Sequence, residues 1–373
     1  MCALALGGWY LAWRWTASLN PRALAFSVVV ALAETLAWLG AALFFLSIWR
    51  IEDPPGRPPP RTVNDVLEEP LPEDRPLRVD VLIATLDEPV ELVRRSVRDA
   101  QALRYPHPLD LRVVVLDDGR RPAMCEMARE EGAAYLARES NAGFKAGNLN
   151  HALAQTDGDL FVVCDADTRL LPPFLAETLG HFRDPRVAWV QTPQWFFDVA
   201  PGTPLPEWLA RRARLGRVGA AMGRAAERLL GPVAVGADIL GTDARAFYDL
   251  VQRARNWCNA SFCCGAGSVH RREAVLETAL RRLGDTARRS GLAWAARVPD
   301  AQLGRALASA VSLETARRTA LTPFEFHVSE DVYTSIRLHA APGRRWRSVY
   351  HPRALTQMLS PQDLLAWTIQ RFK

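Results

Sequence analysis

The sequence contains few cysteines, and no two of them form a C-x-x-C pair. The six are Cys2, Cys125, Cys164, Cys258, Cys263 and Cys264. This spacing excludes a zinc site built from paired cysteines, and it is not the spacing of a small disulfide framework. We therefore expect free or buried thiols in a protein that works in a reducing compartment.

Two further signals are missing. No small-residue cleavage site follows the N-terminal apolar run, and that run is too long for a secretory signal. No basic motif with interleaved aromatic residues is present, so nucleic acid is not an expected partner. The net charge of +5 and the pI near 9.0 instead suit a cytoplasmic membrane surface or an anionic nucleotide substrate.

Length and composition set the class of the protein. A chain of 373 residues can bury a full core, and it has room for one large domain with appendages. With 49% hydrophobic residues and a mean hydropathy of -0.07, it is too apolar to be disordered. The same values are too polar for a protein that lies mostly within a membrane.

An apolar run near the N-terminus predicts a transmembrane helix at residues 23–48. Crossing a bilayer takes about 20 residues, and Arg22 and Arg50 bound the run. A buried core helix is the alternative interpretation. Glu34 is costly in lipid, so we expect it to face another helix or a polar cavity. Residues 3–13 are too short to span a membrane and resemble an interfacial segment.

The whole chain divides into three parts by composition. Residues 1–50 form the membrane segment, and residues 51–76 form a linker rich in proline and charge, which predicts a stiff spacer. Residues 77–373 alternate between strand and helix patterns, which predicts an α/β domain with a mostly parallel sheet. Within it, arginine- and alanine-rich stretches at about 200–243 and 280–325 predict amphipathic helical insertions.

Two of the predicted strands end in paired acids. A β-branched run leads into Asp117-Asp118-Gly119, and a second leads into Asp165-Ala166-Asp167. In an open α/β sheet, ligands bind beyond the carboxyl ends of the strands, so both acid pairs should meet at one crevice. Asp-x-Asp suits Mg²⁺ or Mn²⁺ bridging a diphosphate. The pattern therefore predicts a nucleotide-sugar transferase, although acids that cap turns and helices are the simpler alternative.

These motifs and six others occur in an order that resembles a processive family 2 glycosyltransferase, in particular the catalytic subunit of bacterial cellulose synthase. The other six are Thr85-Leu86-Asp87-Glu88-Pro89, Lys145-Ala146-Gly147-Asn148-Leu149-Asn150, Gln191-Thr192-Pro193-Gln194, Phe262-Cys263-Cys264-Gly265, Ser329-Glu330-Asp331 and Gln370-Arg371-Phe372. Single motifs are weak, but the ordered set is specific and extends over nearly all of the region after residue 79. The resemblance implies a GT-A-like, Rossmann-like fold.

The resemblance also implies an activity and its partners. In the family, glucose passes from UDP-glucose to a growing glucan with inversion at C1, at the cytoplasmic side of a bacterial inner membrane. The lipid bilayer and accessory export subunits would be further partners.

Residue roles follow from the same resemblance. Asp331 would be the catalytic base, although a helix-capping role for Ser329-Glu330-Asp331 is the alternative. Asp165 and Asp167 would lie at the diphosphate and hold the metal ion. The substrate-binding residues would be Thr85, Glu88, Asp117, Asp118, Lys145, Gln370 and Cys264, with Cys264 as a small wall residue and not a nucleophile.

The sequence departs from the family pattern at several points. Ser329 replaces the usual threonine, and the two helical insertions lengthen the domain. Lys373 occupies the arginine position of the Gln-x-x-Arg-Trp motif, and we expect that the sequence is a piece of a longer synthase. A β-1,3, mixed-linkage or amino-sugar polymer is therefore an alternative product, and a UDP-binding scaffold without turnover is an alternative function.

Overall fold

The computed structural model describes residues 2–199, 202–211, 214–236, 245–281, 300, 302–307, 309, 322–324, 329–341, 346–361, 363–365 and 367–368. Two antiparallel helices come first in the chain, α1 (Cys2–Ala17) and α2 (Leu24–Ser47). In the described part of the chain, the run Pro21–Ser47 is the one helix long and apolar enough to span a membrane, with a hydropathy of 2.0.

Helix α1 supplies the partners of the acid in α2. Arg14 Nε donates to Glu34 Oε2 at 2.9 Å, and the Tyr10 hydroxyl donates to Glu34 Oε1 at 3.1 Å. Glu34 thus faces a neighbouring helix, as predicted, because an ion pair offsets the cost of a carboxylate in an apolar setting. α1 is longer than the short interfacial segment expected from its sequence, since its helix continues to Ala17.

A seven-stranded sheet forms the centre of the domain. Its strands are β1 (Leu77–Thr85), β2 (Leu109–Asp117), β3 (Ala134–Leu136), β4 (Leu160–Asp165), β6 (Val187–Gln191), β10 (Ser268–Arg271) and β11 (Arg347–Tyr350). Their order across the sheet is β11-β6-β10-β4-β1-β2-β3. All neighbours pair in parallel except β10, which runs antiparallel to both β4 and β6. The predicted α/β class with a mostly parallel sheet is confirmed.

Both faces of this sheet are buried, which explains the continuous apolar runs in its strands. In β1, Val81 and Ile83 pack on one side and Leu82 packs on the other. In β4, Val162 and Phe161 divide between the same two sides. Burial on both faces is characteristic of parallel sheets covered by helices, and it fixes the register of the strand ends that carry the acids.

Some helices of the domain pack on the sheet, and others pack on one another. They are α3 (Val90–Gln101), α4 (Pro122–Glu130), α5 (Phe144–Gln155), α6 (Phe174–Thr178), α7 (Leu205–Arg211), α8 (Gly216–Leu230) and α9 (Glu330–His339), together with helical residues 272–281. α7 and α8 lie within the predicted insertion at 200–243. Most of the second insertion, at 280–325, lies outside the described residues.

A second, small sheet lies beside the main one. Its strands are β5 (Arg169–Leu170), β7 (Gln194–Phe196) and β12 (Thr356–Met358), in the order β5-β12-β7. A two-stranded ribbon joins β8 (Thr203–Pro204) to β9 (Ala234–Val235). β12 brings the segment after residue 356 next to the chain that follows β4. Residues far apart in sequence therefore share one edge of the domain.

The proline-rich segment 51–76 differs from the stiff spacer expected from its composition, because it packs on the domain. Val63 and Val66 are buried in the main core. Arg183 donates to the Pro58 carbonyl at 2.9 Å and pairs with Asp65. Because apolar side chains within the segment gain burial, it lies along the domain instead of holding the domain at a distance.

Four histidines with lowered pKa values predict loss of stability in acid. Burial lowers the pKa of His181, His339 and His351 to about 4 and that of His270 to about 3. The unfolded chain therefore takes up protons near pH 6.5 while the folded chain does not, so the free energy of unfolding falls as pH drops below that value. Between pH 7 and 5.5 the cost is about 1 kcal/mol per histidine.

Denaturant unfolding of the detergent-solubilised protein at pH 7 and 5.5 measures this loss. Asp167, whose pKa burial raises to about 6, opposes the histidines, because the folded chain binds its proton more readily than the unfolded one. His270→Gln, which can still bond the Ser268 hydroxyl, should make the pH dependence shallower. An unchanged free energy of unfolding at pH 5.5 would contradict the expectation.

Candidate active site

The register of the parallel strands brings the two acid signatures to one edge of the sheet. Thr85, the last residue of β1, pairs with Asp117 of β2. Its neighbour Ala84 pairs with Asp165 of β4. The convergence predicted from the sequence therefore follows directly from strands that end level with one another.

Asp165 is the last residue of β4, and Asp167 lies in the turn that follows it. The Asp165 carboxylate forms an ion pair with Lys145 in the first turn of α5. Asp167 Oδ2 accepts a hydrogen bond from the Leu359 backbone N–H at 3.1 Å, just after β12. Burial and the nearby Asp165 charge raise the pKa of Asp167 to about 6. Two carboxylates thus lie close enough to repel each other in a partly buried crevice.

Asp331 and Glu330 begin helix α9 on the other side of Lys145. Glu330 Oε1 lies 3.9 Å from Lys145 Nζ. Burial raises the pKa of both Asp331 and Glu330, and Lys145 opposes the rise. Burial alone would lower the pKa of Lys145, but the surrounding carboxylates outweigh it and raise the pKa. The Ser329 side chain makes no capping bond to α9, so the alternative of a serine cap gains no support.

Residues 262–265 form a loop that faces these charges. Gly265 has a φ of +80°, and a Cβ atom built there would lie 3.4 Å from Asp331 Oδ2 and 3.7 Å from Lys145 Nζ. Gln191 Oε1 accepts from the Cys264 N–H at 2.8 Å, and Gln194 Nε2 donates to the Cys264 carbonyl at 3.0 Å. Residues 191–194 and the 262–265 loop are therefore hydrogen-bonded to each other beside Asp331.

Cys264 is not arranged as a nucleophile. Gln252 Nε2 approaches its Sγ at 2.8 Å. Burial raises the pKa of the Cys264 thiol well above its ordinary value, so the thiol stays protonated at neutral pH. Its place as a small residue in the wall of the acceptor path stays a prediction.

Asp117 and Asp118 are held by internal partners. Asp117 is fully buried and accepts hydrogen bonds from the Arg121 N–H at 2.7 Å and the Tyr135 hydroxyl at 3.0 Å. Asp118 forms a two-bond ion pair with Arg138, at 2.6 and 2.7 Å. The carboxylates already satisfy much of their hydrogen-bonding capacity, which fits a role in shaping the turn before Gly119 at least as well as direct contact with a nucleoside.

Thr85 and Glu88 bond to each other at the end of β1. The Thr85 hydroxyl donates to Glu88 Oε2 at 2.7 Å, and the same oxygen accepts the Leu86 N–H at 2.8 Å. Thr85 also accepts from Arg121 Nη2 at 2.8 Å. The structure thus links these two residues to Asp117 through a single arginine. Gln370 and Lys373 lie outside the described residues.

Several residues at the site were not singled out from the sequence. Arg121 and Arg138 hold the acid pair of β2, and Gln252 holds the loop at Cys264. Arg121 follows Gly119 by two positions, so a basic residue just after an acidic turn could have indicated it. Gln252 precedes the loop by ten residues within an irregular helix, and no local pattern identified it.

The chain is similar to known glycosyltransferases. The sequence model described as glycosyl transferase family 2 matches residues 80–277. Cellulose synthase 2 of Novacetimonas hansenii is 32% identical over 281 residues, which are 74% of this chain and 15% of that protein. A UDP-forming cellulose synthase catalytic subunit of Pseudomonas fluorescens is 37% identical over 207 residues, 55% of this chain and 24% of that protein.

Among solved structures, a mannosyltransferase from Pyrobaculum calidifontis aligns with a TM-score of 0.48 and 17% identity, covering 92% of this chain and 72% of that one. The chain spans less than a third of the length of the two cellulose synthases above. The family match extends from β1 through β10 and contains both acid pairs, Lys145 and the 262–265 loop. The chain belongs to glycosyl transferase family 2.

Proposed function

We propose that the protein is a membrane-bound, processive, inverting glycosyltransferase that moves glucose from UDP-glucose to a growing β-1,4-glucan. The observation that carries this proposal is that Asp331 and Asp165 both lie close to Lys145, at the edge of the sheet where the acid signatures meet. The choice of donor and product is supported by relatives that are named cellulose synthases, one of them UDP-forming.

Asp331 would act as the general base. As the acceptor hydroxyl attacks C1 of the sugar, its proton passes to the Asp331 carboxylate, and the bond from C1 to the UDP oxygen breaks on the opposite face. Direct displacement inverts the anomeric centre and needs no covalent intermediate, in keeping with a protonated Cys264. Burial raises the pKa of Asp331, which brings its basicity closer to working pH.

Asp165 and Asp167 would hold a divalent cation, Mg²⁺ or Mn²⁺. Burial, together with repulsion from Asp165, raises the pKa of Asp167 to about 6, and a cation would offset the repulsion, so the residues fit the group. Within the described residues no set of three or more acidic, histidine or cysteine side chains is arranged around one metal position. Most ligands would therefore come from the diphosphate and water, as is usual for Mg²⁺. The cation would neutralise charge on the departing UDP.

Lys145 would orient Asp165 and stabilise the same negative charge. Thr85, Glu88, Asp117, Asp118 and Gln370 would form the nucleoside side of the site. For Asp117 and Asp118 we propose an indirect role, because Arg121 and Arg138 already engage their carboxylates. The donor would then contact the edges of these ion pairs and the neighbouring backbone.

The acceptor would lie along Gln191–Gln194 and the 262–265 loop. Helix α2 would cross the inner membrane of a bacterium and leave the catalytic domain in the cytoplasm, where nucleotide sugars occur. The glucan and the bilayer would be its immediate partners, and export subunits would receive the product.

Gly265→Ala tests the closeness of the loop to the base. A Cβ atom there would lie within contact of both Asp331 and Lys145, whereas at Gly132, with a φ of +68°, it would meet nothing within 4 Å. Both alanines strain a left-handed backbone by about 1 kcal/mol. We expect similar losses of thermal stability, but a loss of sugar transfer only for Gly265→Ala. Equal transfer rates in the two variants would contradict the assigned position of the acceptor.

The overall proposal is tested by product formation. Membranes containing the full-length protein would be supplied with Mg²⁺ and radiolabelled UDP-glucose or UDP-N-acetylglucosamine. Insoluble polymer from UDP-glucose that a β-1,4-glucanase dissolves is the expected result. Polymer that resists the enzyme, or that forms from the amino sugar, would mean that the product is a polymer other than a β-1,4-glucan. UDP binding without polymer from either donor would favour a binding scaffold.

A further inference from the structure

The end of helix α2 is held against residues 252–258 of the catalytic domain. Trp257 Nε1 donates a hydrogen bond to the Ser47 carbonyl at 3.0 Å, in the last turn of the helix. Arg253 forms a two-bond ion pair with Asp53, with Nε at 2.6 Å from Oδ1. The point where the chain leaves α2 is therefore attached to the domain by named side-chain contacts.

The same segment holds the loop that faces Asp331. Gln252 is fully buried, and its Nε2 donates to the Phe262 carbonyl at 3.1 Å. The Arg255 guanidinium lies 5.9 Å from the ring centroid of Phe44, on α2, and 5.4 Å from that of Phe262. One arginine thus contacts an aromatic ring on the membrane helix and an aromatic ring on the loop, both within cation–π range.

The loop in turn contacts the helix that carries the base. The Cys263 N–H donates to Ser335 Oγ at 2.8 Å, and the Ser335 hydroxyl donates to the Asp331 carbonyl at 2.8 Å. The loop is therefore hydrogen-bonded to α9 at Ser335, and its Gly265 lies beside the Asp331 carboxylate. A continuous set of contacts therefore leads from the end of α2 to the first turn of α9.

The donor side of the site is supported differently. Asp165 ends β4 and Asp167 follows it, and the register of this strand is fixed by pairing to β1 and β10 in the buried sheet. Strand pairing in a two-sided core resists displacement, whereas a loop held by side chains moves when those side chains are removed. A change at the end of α2 should thus reach the loop and leave the donor side in place.

We propose that Arg255 and Trp257 are positioning residues that couple the position of the C-terminal end of α2 to that of the 262–265 loop. Acceptor binding beside Asp331 depends on this coupling, and donor binding does not. The inference rests on the proposed function, since it assigns the loop to the acceptor. It makes the membrane helix part of the acceptor site as well as an anchor.

The test uses the full-length protein in lipid nanodiscs, with UDP-glucose and a soluble cello-oligosaccharide as acceptor. Sugar incorporation and total UDP release are measured together, so that transfer is separated from hydrolysis by water. The variants are Arg255→Ala, Arg255→Lys and Trp257→Phe, which removes the indole N–H that reaches Ser47. Arg94→Ala, which breaks a surface ion-pair cluster between α3 and α4, is the matched control.

For Arg255→Ala we expect the acceptor KM to rise about tenfold, the scale of one partly buried cation–π contact. The share of UDP released by hydrolysis should rise with it, and the donor KM should stay within about twofold. The acceptor KM of Arg255→Lys should lie between that of the unaltered protein and that of Arg255→Ala, because lysine keeps the charge but loses the planar group. Trp257→Phe should shift the acceptor KM in the same direction, and it decides the question if Arg255→Ala does not fold.

Two results would overturn the inference. One is an unchanged acceptor KM in folded Arg255→Ala and Trp257→Phe, and the other is an equal rise of donor and acceptor KM, which a general structural defect would give. Both are distinct from failure of the proposed function, in which the unaltered protein would bind UDP but neither transfer nor hydrolyse the donor.

Discussion

Replacing Asp331 with asparagine will reduce sugar transfer by about 10²–10⁴-fold, the usual contribution of a general base. The amide keeps the shape of the side chain and can still accept from the Val332 N–H, which bonds Asp331 Oδ1 at 2.8 Å. It cannot take a proton from the acceptor hydroxyl. The donor site lies on other elements, so the affinity for UDP should stay unchanged.

Glu330→Gln is the matched control for this experiment. Glu330 is the preceding residue in the same helical turn, it is also buried, and its carboxylate lies 3.9 Å from Lys145 Nζ. A general loss of negative charge at the start of α9 would affect both variants alike. Initial rates of labelled-sugar incorporation, with UDP binding by calorimetry, separate the two cases. If Asp331→Asn retained the unaltered rate, or Glu330→Gln lost as much, the base would have to be another group.

Replacing Asp167 with asparagine is expected to lower transfer by about 10²-fold or more, because a metal ion supplies several kcal/mol of charge stabilisation in the transition state. The same change should weaken Mn²⁺ binding in the presence of UDP, which electron paramagnetic resonance measures without turnover. It also removes the repulsion between Asp165 and Asp167, so the protein itself should be no less stable.

The control for this change is Asp157→Asn. Asp157 is also a carboxylate next to β4, but it pairs with Arg112 and Arg78 at the amino ends of the strands. We expect Asp157→Asn to leave Mn²⁺ binding and transfer unaltered. Undiminished Mn²⁺ affinity in Asp167→Asn would mean that the cation, if needed, is held elsewhere.

The strands that carry the site could be predicted from the sequence because their pattern is local. The β-branched runs that lead into the two acid pairs form β2 and β4, which end at Asp117 and Asp165. Buried parallel strands are continuous apolar runs, and the acids at which such a run stops mark the end of the strand. The meeting of Asp117 and Asp165 at one edge then required only the parallel order.

Other parts of the fold depend on contacts between distant residues. β10 is four residues long, and its place between β4 and β6 is set by pairing partners about 80 to 110 residues earlier. No local pattern specifies an antiparallel strand inside a parallel sheet. The same holds for the inward hydrogen bonds of Asp117, since the acid pair alone does not tell whether Arg121 and Tyr135 will reach it.

The antiparallel β10 has a consequence for synthesis on the ribosome. β4 ends at Asp165 and its neighbour β10 begins only at Ser268. At about 5–20 residues per second, the intervening roughly 100 residues take on the order of 5–20 s to translate. Throughout that time one edge of β4 has no strand to pair with, while α2 has already left the ribosome. The nascent chain therefore exposes an unpaired strand edge, where binding by a chaperone would prevent pairing between neighbouring chains.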